Sequence, residues 1–87
     1  MPYRLEIKES ARKQIIRLAK PDQRRVMAAI ADLAETPRPD GVRKIVGADN
    51  AYRIRVGDYR IVYEIHDRVL TVYIVRVGHR KDVYRNR

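Results

Sequence analysis

The sequence predicts an α+β fold in the order β-α-α-β-β-β. It is a single domain over residues 1–87, with an antiparallel-dominated sheet of about four strands. A helical hairpin packs on one face and a basic C-terminal tail follows. Three observations predict it. The 87 residues leave room for only one domain. Apolar residues recur at helical spacing between residues 10 and 35, and from Tyr52 the period switches to two.

The elements follow in order. Tyr3, Leu5 and Ile7 alternate with Arg4, Glu6 and Lys8, which gives a short amphipathic strand. Ser10 is placed to cap a helix on which Ala11, Ile15, Leu18 and Ala19 share a stripe. Pro21-Asp22 ends that helix, and Pro21 suits the first turn of the next. The second helix carries Val26, Ala29, Ile30, Leu33 and Ala34 on one face and stops at Thr36-Pro37-Arg38-Pro39-Asp40-Gly41. A short connection makes the pair an antiparallel hairpin. Residues 42–51 show no period and read as a loop.

Tyr52, Ile54 and Val56 then alternate with Arg53 and Arg55 up to Gly57-Asp58. Glycine first in a two-residue turn suits type II′. That turn sets Val56 opposite Tyr59, Arg55 opposite Arg60, Ile54 opposite Ile61 and Tyr52 opposite Tyr63. A second tight turn at Asp67-Arg68 returns a strand from Val69 to Val77. Its Leu70, Val72 and Ile74 fall opposite Ile65, Tyr63 and Ile61. Tyr52, Tyr59 and Tyr63 point inward as core. His66 reads as a surface histidine in the turn. Strict alternation puts Arg76 on the apolar face and Tyr73 on the opposite one.

Composition narrows the function. Twenty Lys plus Arg against eleven Asp plus Glu leave a net charge of +9, which points to a polyanionic partner. With no cysteine, thiolate chemistry and disulfides are excluded, and two histidines do not make a zinc site. No apolar run is long enough to span a membrane, so a cytoplasmic protein is expected. No metal, cofactor or small-molecule ligand is implied by any motif. Arg12, Lys13, Arg17, Lys20, Arg24 and Arg25 lie on the outer helix faces, where charges are ordinarily just solvated.

The informative feature is the exposed face of the hairpin. Arg55 directly opposite Arg60 is a like-charge pair, which costs stability. Arg53 is two residues from Arg55, and Glu64 shares the face. Three convergent guanidiniums suit phosphate. The bland alternative is separate solvation of each arginine. After Gly78 comes His79-Arg80-Lys81-Asp82-Val83-Tyr84-Arg85, which either frays or folds back over the arginines. An enzyme built this way works with Arg, Lys, His and Tyr. RNA scission fits that set, because the substrate's own 2′-hydroxyl attacks the phosphate.

The run Tyr52-Arg53-Ile54-Arg55-Val56-Gly57-Asp58-Tyr59-Arg60-Ile61-Val62-Tyr63-Glu64-Ile65, with Val75-Arg76-Val77-Gly78-His79-Arg80-Lys81-Asp82-Val83-Tyr84, resembles RelE-type toxins of the RelE/ParE superfamily. The resemblance covers essentially the whole chain. It implies an mRNA endonuclease that cuts codons in the ribosomal A site and is held inactive by a cognate antitoxin. Its partners would be that antitoxin, the ribosome and mRNA. The antitoxin would bring an acidic or amphipathic segment that wraps the helices or displaces the tail.

Carried over by position, the resemblance assigns Arg55, Arg60 and Arg80 as phosphate and transition-state clamps. Tyr84 orients or activates the 2′-hydroxyl, and His79 serves as acid or base. Arg53, Lys81 and Arg85 add phosphate contacts. One departure matters: relatives carry lysines where this chain has Arg53 and Arg55, and a guanidinium is a poor general base. Two other readings stay open: a ParE-like inhibitor of DNA gyrase, and a ribosome- or RNA-binding homologue whose catalysis is impaired.

Overall fold

The computed structural model describes residues 2–79. Strand β1 (Arg4–Ile7) leads into helices α1 (Glu9–Ile16) and α2 (Lys20–Glu35). Strands β2 (Arg43–Lys44), β3 (Ala51–Val56), β4 (Tyr59–His66) and β5 (Thr71–His79) follow. They form one sheet in the order β1-β5-β4-β3-β2. Only β1 and β5 run parallel. The α+β class and the helical hairpin are as expected. The fifth strand is β2, two residues inside the stretch that shows no period.

The helices cover one sheet face. Ala11 and Ile15 of α1 and Val26, Ile30 and Leu33 of α2 pack on Ile61, Tyr63, Ile65, Val72, Ile74 and Val77. Ser10 does not cap α1. Lys8, with extended backbone, holds the N-cap position, and the helix begins at Glu9, which puts Ser10 inside it. Glu9 suits that place electrostatically, since a carboxylate favours the positive end of the helix dipole. It also pairs with Arg12 at 2.6 Å. Helix α1 ends at Ile16, earlier than Pro21 requires. Gln23 of α2 donates to the Ile15 carbonyl at that end, which also accepts from the Leu18 N–H at 3.0 Å. Pro21 sits in the first turn of α2, where its missing N–H costs nothing.

The β3–β4 hairpin has the expected register at every pair: Val56 with Tyr59, Arg55 with Arg60, Ile54 with Ile61, Tyr52 with Tyr63. Gly57 has φ +59°, and Leu70 is the one non-glycine with positive φ among the described residues. Asp58 therefore stays in the ordinary region, as type II′ requires and type I′ forbids.

The β4–β5 pairing differs from expectation in two ways. The connection is a 3₁₀ turn, Asp67–Val69, followed by Leu70 in the left-handed region at φ 48°. It uses two residues more than a tight turn does. Leu70 is therefore in the turn and half-exposed, and Val72 and Ile74 face Ile65 and Tyr63. Then β5 bulges. Tyr63 pairs with Ile74 but Val62 pairs with Arg76, so Val75 is an extra residue. One extra residue reverses the alternation. Val77 turns inward against Ile61, and Arg76 joins Val62 on the exposed face, corrected from the apolar side. Past the last β1 pairing, the Val77 N–H donates to Gln14 Oε1 on α1 at 2.8 Å.

Candidate functional site

The exposed sheet face is built in rows of register partners. Arg55, Arg60 and Gly78 form one row, and Arg43, Arg53, Val62 and Arg76 the next. Arg43 directly opposes Arg53, just as Arg55 opposes Arg60, so the face holds two like-charge cross-strand pairs. Arg43, Arg53, Arg55 and Arg60 line a single cavity of about 300 Å³, with Gly41 at its wall. Arg53 and Arg60 are half-buried, and Arg60 Nε is sealed from solvent. Gly78, without a side chain, lies opposite Arg60. Four guanidiniums converging on one cavity match the fork geometry that binds phosphate oxygens in pairs.

The wall of the cavity is set by the segment after α2. Gly41 turns the chain into β2 at φ +85°, a conformation that favours glycine. The buried Tyr63 hydroxyl donates to the Pro37 carbonyl at 2.7 Å. Arg38 lies over the Tyr52 ring at 5.3 Å and donates through Nη2 to Asp67 Oδ2 at 2.9 Å. Tyr3 donates to the other oxygen of that carboxylate at 2.6 Å. The Arg38 hydrogen bond, then that of Tyr3, holds the Asp67 carboxyl below its ordinary range. Burial pushes the Tyr63 phenol up to about 12.

The expected residues divide into three groups. Arg53, Arg55 and Arg60 are brought together. His79 is not with them. It pairs with Tyr59, and their rings meet edge to face at 5.7 Å on the helix side of the sheet. The Tyr59 hydroxyl in turn donates to Asp22 of α2 at 3.1 Å. Burial first, and that carboxylate second, raise the Tyr59 phenol above its usual range. Arg80, Lys81, Tyr84 and Arg85 lie outside the described residues.

Sequence reading missed Arg43 and Arg76. Arg43 gave almost no signal, because a two-residue strand has no period to detect. Arg76 did give one: a charge at a nominally buried strand position marks a break in alternation. His66 lies at the end of β4 rather than in the turn. Its Nε2 is 2.8 Å from Glu64 Oε1, and its Nδ1 is 3.3 Å from Asn50 Nδ2. Tyr73 is on the exposed face, opposite Glu64.

The chain is similar to known proteins over nearly its full length. Residues 5–84 match the family described as ParE toxin of type II toxin-antitoxin system, parDE. Toxin RelG of Mycobacterium tuberculosis is 36% identical over 93 residues, spanning 98% of this chain and 99% of that protein. The mRNA interferase toxin RelE of Escherichia coli is 28% identical over 83 residues, 93% of this chain and 86% of that protein. Among solved structures, the archaeal RelE–RelB complex of Pyrococcus horikoshii superposes with TM-score 0.82 at 29% identity. It covers 92% of this chain and 97% of that one. The isolated E. coli RelE toxin gives 0.78 at 25% identity, covering 95% and 97%. No helix among the described residues is long and apolar enough to cross a membrane.

Proposed function

Because the chain belongs to the RelE-type toxins of the RelE/ParE superfamily, the toxin components of type II toxin–antitoxin systems, we propose that it is an endoribonuclease that cuts mRNA in the ribosomal A site. Translation stops as a result, and a cognate antitoxin neutralises the protein, as RelB partners RelE in the archaeal complex. The observation that carries the reading is the cavity shared by four arginines on the exposed sheet face. The E. coli relative's name, mRNA interferase, supports the reaction class.

The chemistry asks little of the protein beyond charge and orientation. The 2′-hydroxyl attacks the neighbouring phosphorus and the 5′-oxygen leaves, with no protein nucleophile and no metal required. Arg53, Arg55 and Arg60 hold the phosphate and neutralise the dianionic phosphorane, a role in which fixed donors count most. Arg80, Lys81 and Arg85 extend the basic surface, and Tyr84 orients the 2′-hydroxyl. The His79 ring, packed on Tyr59, is left out of the acid–base roles. The setting is the cytoplasm, where ribosomes are.

The test is primer extension on a reporter mRNA in a cell-free translation system. Cuts within codons that need ribosomes and vanish in Arg60→Ala support the reading. Translation halted with intact mRNA identifies a binder without chemistry. Translation untouched removes the ribosome as target, and DNA gyrase supercoiling is then assayed.

A further inference from the structure

The arginine rows continue into a third row on the same face: Ala51, Glu64, Tyr73 and Glu6. Side chains two residues apart on a strand are separated by about 7 Å. Glu64 therefore leaves its strand one row from Arg53 and Arg76 and two rows, about 14 Å, from Arg55 and Arg60, a gap that the long arginine side chains have to span. A second cavity, of about 560 Å³, opens there between Arg4, Glu64, His66, Thr71 and Tyr73. Glu6, the other acid of this row, is on the outermost strand and lies 3.7 Å from Arg4.

Glu64 is held in a defined orientation. The amide nitrogen of Asn50 can only donate, so His66 Nδ1 accepts from it at 3.3 Å. By that hydrogen-bond assignment the ring proton is on Nε2 and is given to Glu64 Oε1 at 2.8 Å. One carboxylate oxygen is thus fixed, and the other is left for a substrate. The side chain is 36% exposed, so it is open to the face yet not fully solvated.

The cleavage chemistry requires a proton acceptor at the 2′-hydroxyl. Neither Arg53 nor Arg55 can supply it, since a guanidinium does not lose its proton near neutral pH. The His79 ring is on the other side of the sheet. We propose that Glu64 is the general base of the reaction, and that His66 is the positioning residue that aims it. The inference rests on the endoribonuclease reading above. The 2′-hydroxyl proton passes to Glu64 Oε2 as the 2′-oxygen bonds to phosphorus. The bond from phosphorus to the 5′-oxygen breaks, and that oxygen takes a proton from water. The products are a 2′,3′-cyclic phosphate and a 5′-hydroxyl, and Glu64 returns its proton to solvent.

The experiment compares wild type, Glu64→Gln, His66→Ala and His66→Gln in single-turnover cleavage of A-site mRNA on programmed ribosomes. Binding is measured in parallel on mRNA with a 2′-deoxy residue at the cut site. Glu64→Gln keeps shape and loses basicity. Its cleavage rate is expected to fall about 100-fold or more, the usual worth of a positioned base. Binding stays within about twofold, and the acid limb of the pH–rate profile disappears. His66→Ala loses about tenfold, and His66→Gln, which keeps an N–H for Glu64, regains most of it. Glu64→Gln cleaving at the wild-type rate overturns the inference alone, as does a loss of binding that matches the loss of rate. Wild type that fails to cleave overturns the endoribonuclease reading and takes this inference with it.

Discussion

Arg55 and Arg60 are register partners on neighbouring strands, with both side chains on the exposed face of the sheet. Arg43 and Arg53 repeat the arrangement one row away. Directly opposed like charges lower stability by about 0.2–1 kcal/mol per pair. Replacing one member should therefore strengthen the fold while weakening what the fold does. Arg55→Thr is expected to raise the unfolding free energy by an amount in that range, read as a higher urea midpoint at unchanged m, and to lower the affinity for programmed ribosomes. A variant less stable than wild type would mean that the arginine contributes packing through its stem.

Arginine contacts to phosphate leave a record in salt dependence. Each phosphate neutralised on a single strand adds roughly 0.7 to the slope of log affinity against log salt. Arg43→Ala and Arg60→Ala should each flatten that slope by about one contact. Arg43 is the more telling of the two, because only the folded chain puts it in the cavity. Filter binding between 50 and 300 mM salt, roughly the range where such slopes are resolved, reads it directly.

Tyr63 makes stability fall at alkaline pH. Its phenol ionises near 10 in an unfolded chain and is pushed up to about 12 in the folded one by burial. The neutral form is the one the native state favours. Stability is thus intact below pH 10 and is lost as pH rises toward 12, on the order of 2 kcal/mol in all. Tyr63→Phe should remove most of that alkaline loss. It should cost about 1 kcal/mol at neutral pH, because the Pro37 carbonyl loses its donor. Urea melts at pH 7.5 and 10.5 distinguish the two effects.

Deleting Val75 tests the bulge. The deletion makes Ile74 and Arg76 sequence neighbours, and simple alternation then keeps both on their present faces. The chain should fold with Ile74 still opposite Tyr63, at a stability cost of about 1 kcal/mol. A bulge also bends and twists its strand. Without it Arg76 is aimed differently, and cleavage should fall about 10- to 100-fold, as for a displacement of ~1 Å. Cross-strand proton contacts by NMR check the pairing independently of activity.

Parts of the molecule are written locally and parts are not. The β3–β4 hairpin is readable because the Gly57-Asp58 turn fixes the register, and alternation then places Arg53, Arg55 and Arg60 together. The apolar stripe of α2 is readable for the same reason: its period lies within one element. The rest depends on pairings between distant segments. The partner of β1 is a strand more than sixty residues away, and nothing near Leu5 states whether the pairing is parallel. Strand β2 exists only because β3 is beside it. The single extra residue at Val75 is invisible to a period-two reading until Arg76 contradicts it. The Glu64–His66 contact escaped because a tight turn at Asp67 would have taken His66 off the strand.

The parallel pairing of β1 with β5 has a consequence for how the protein comes into being. Strand β5 is the last of the described strands in the chain, yet it lies between β1 and β4 and carries Val72, Ile74 and Val77 of the core. Until it is in place, the first strand has no strand to bond to and the core lacks Val72, Ile74 and Val77. Contacts this distant in sequence also form slowly. The β3–β4 hairpin that carries Arg53, Arg55 and Arg60 precedes β5 and pairs locally, so the arginine face takes shape ahead of the core that supports it.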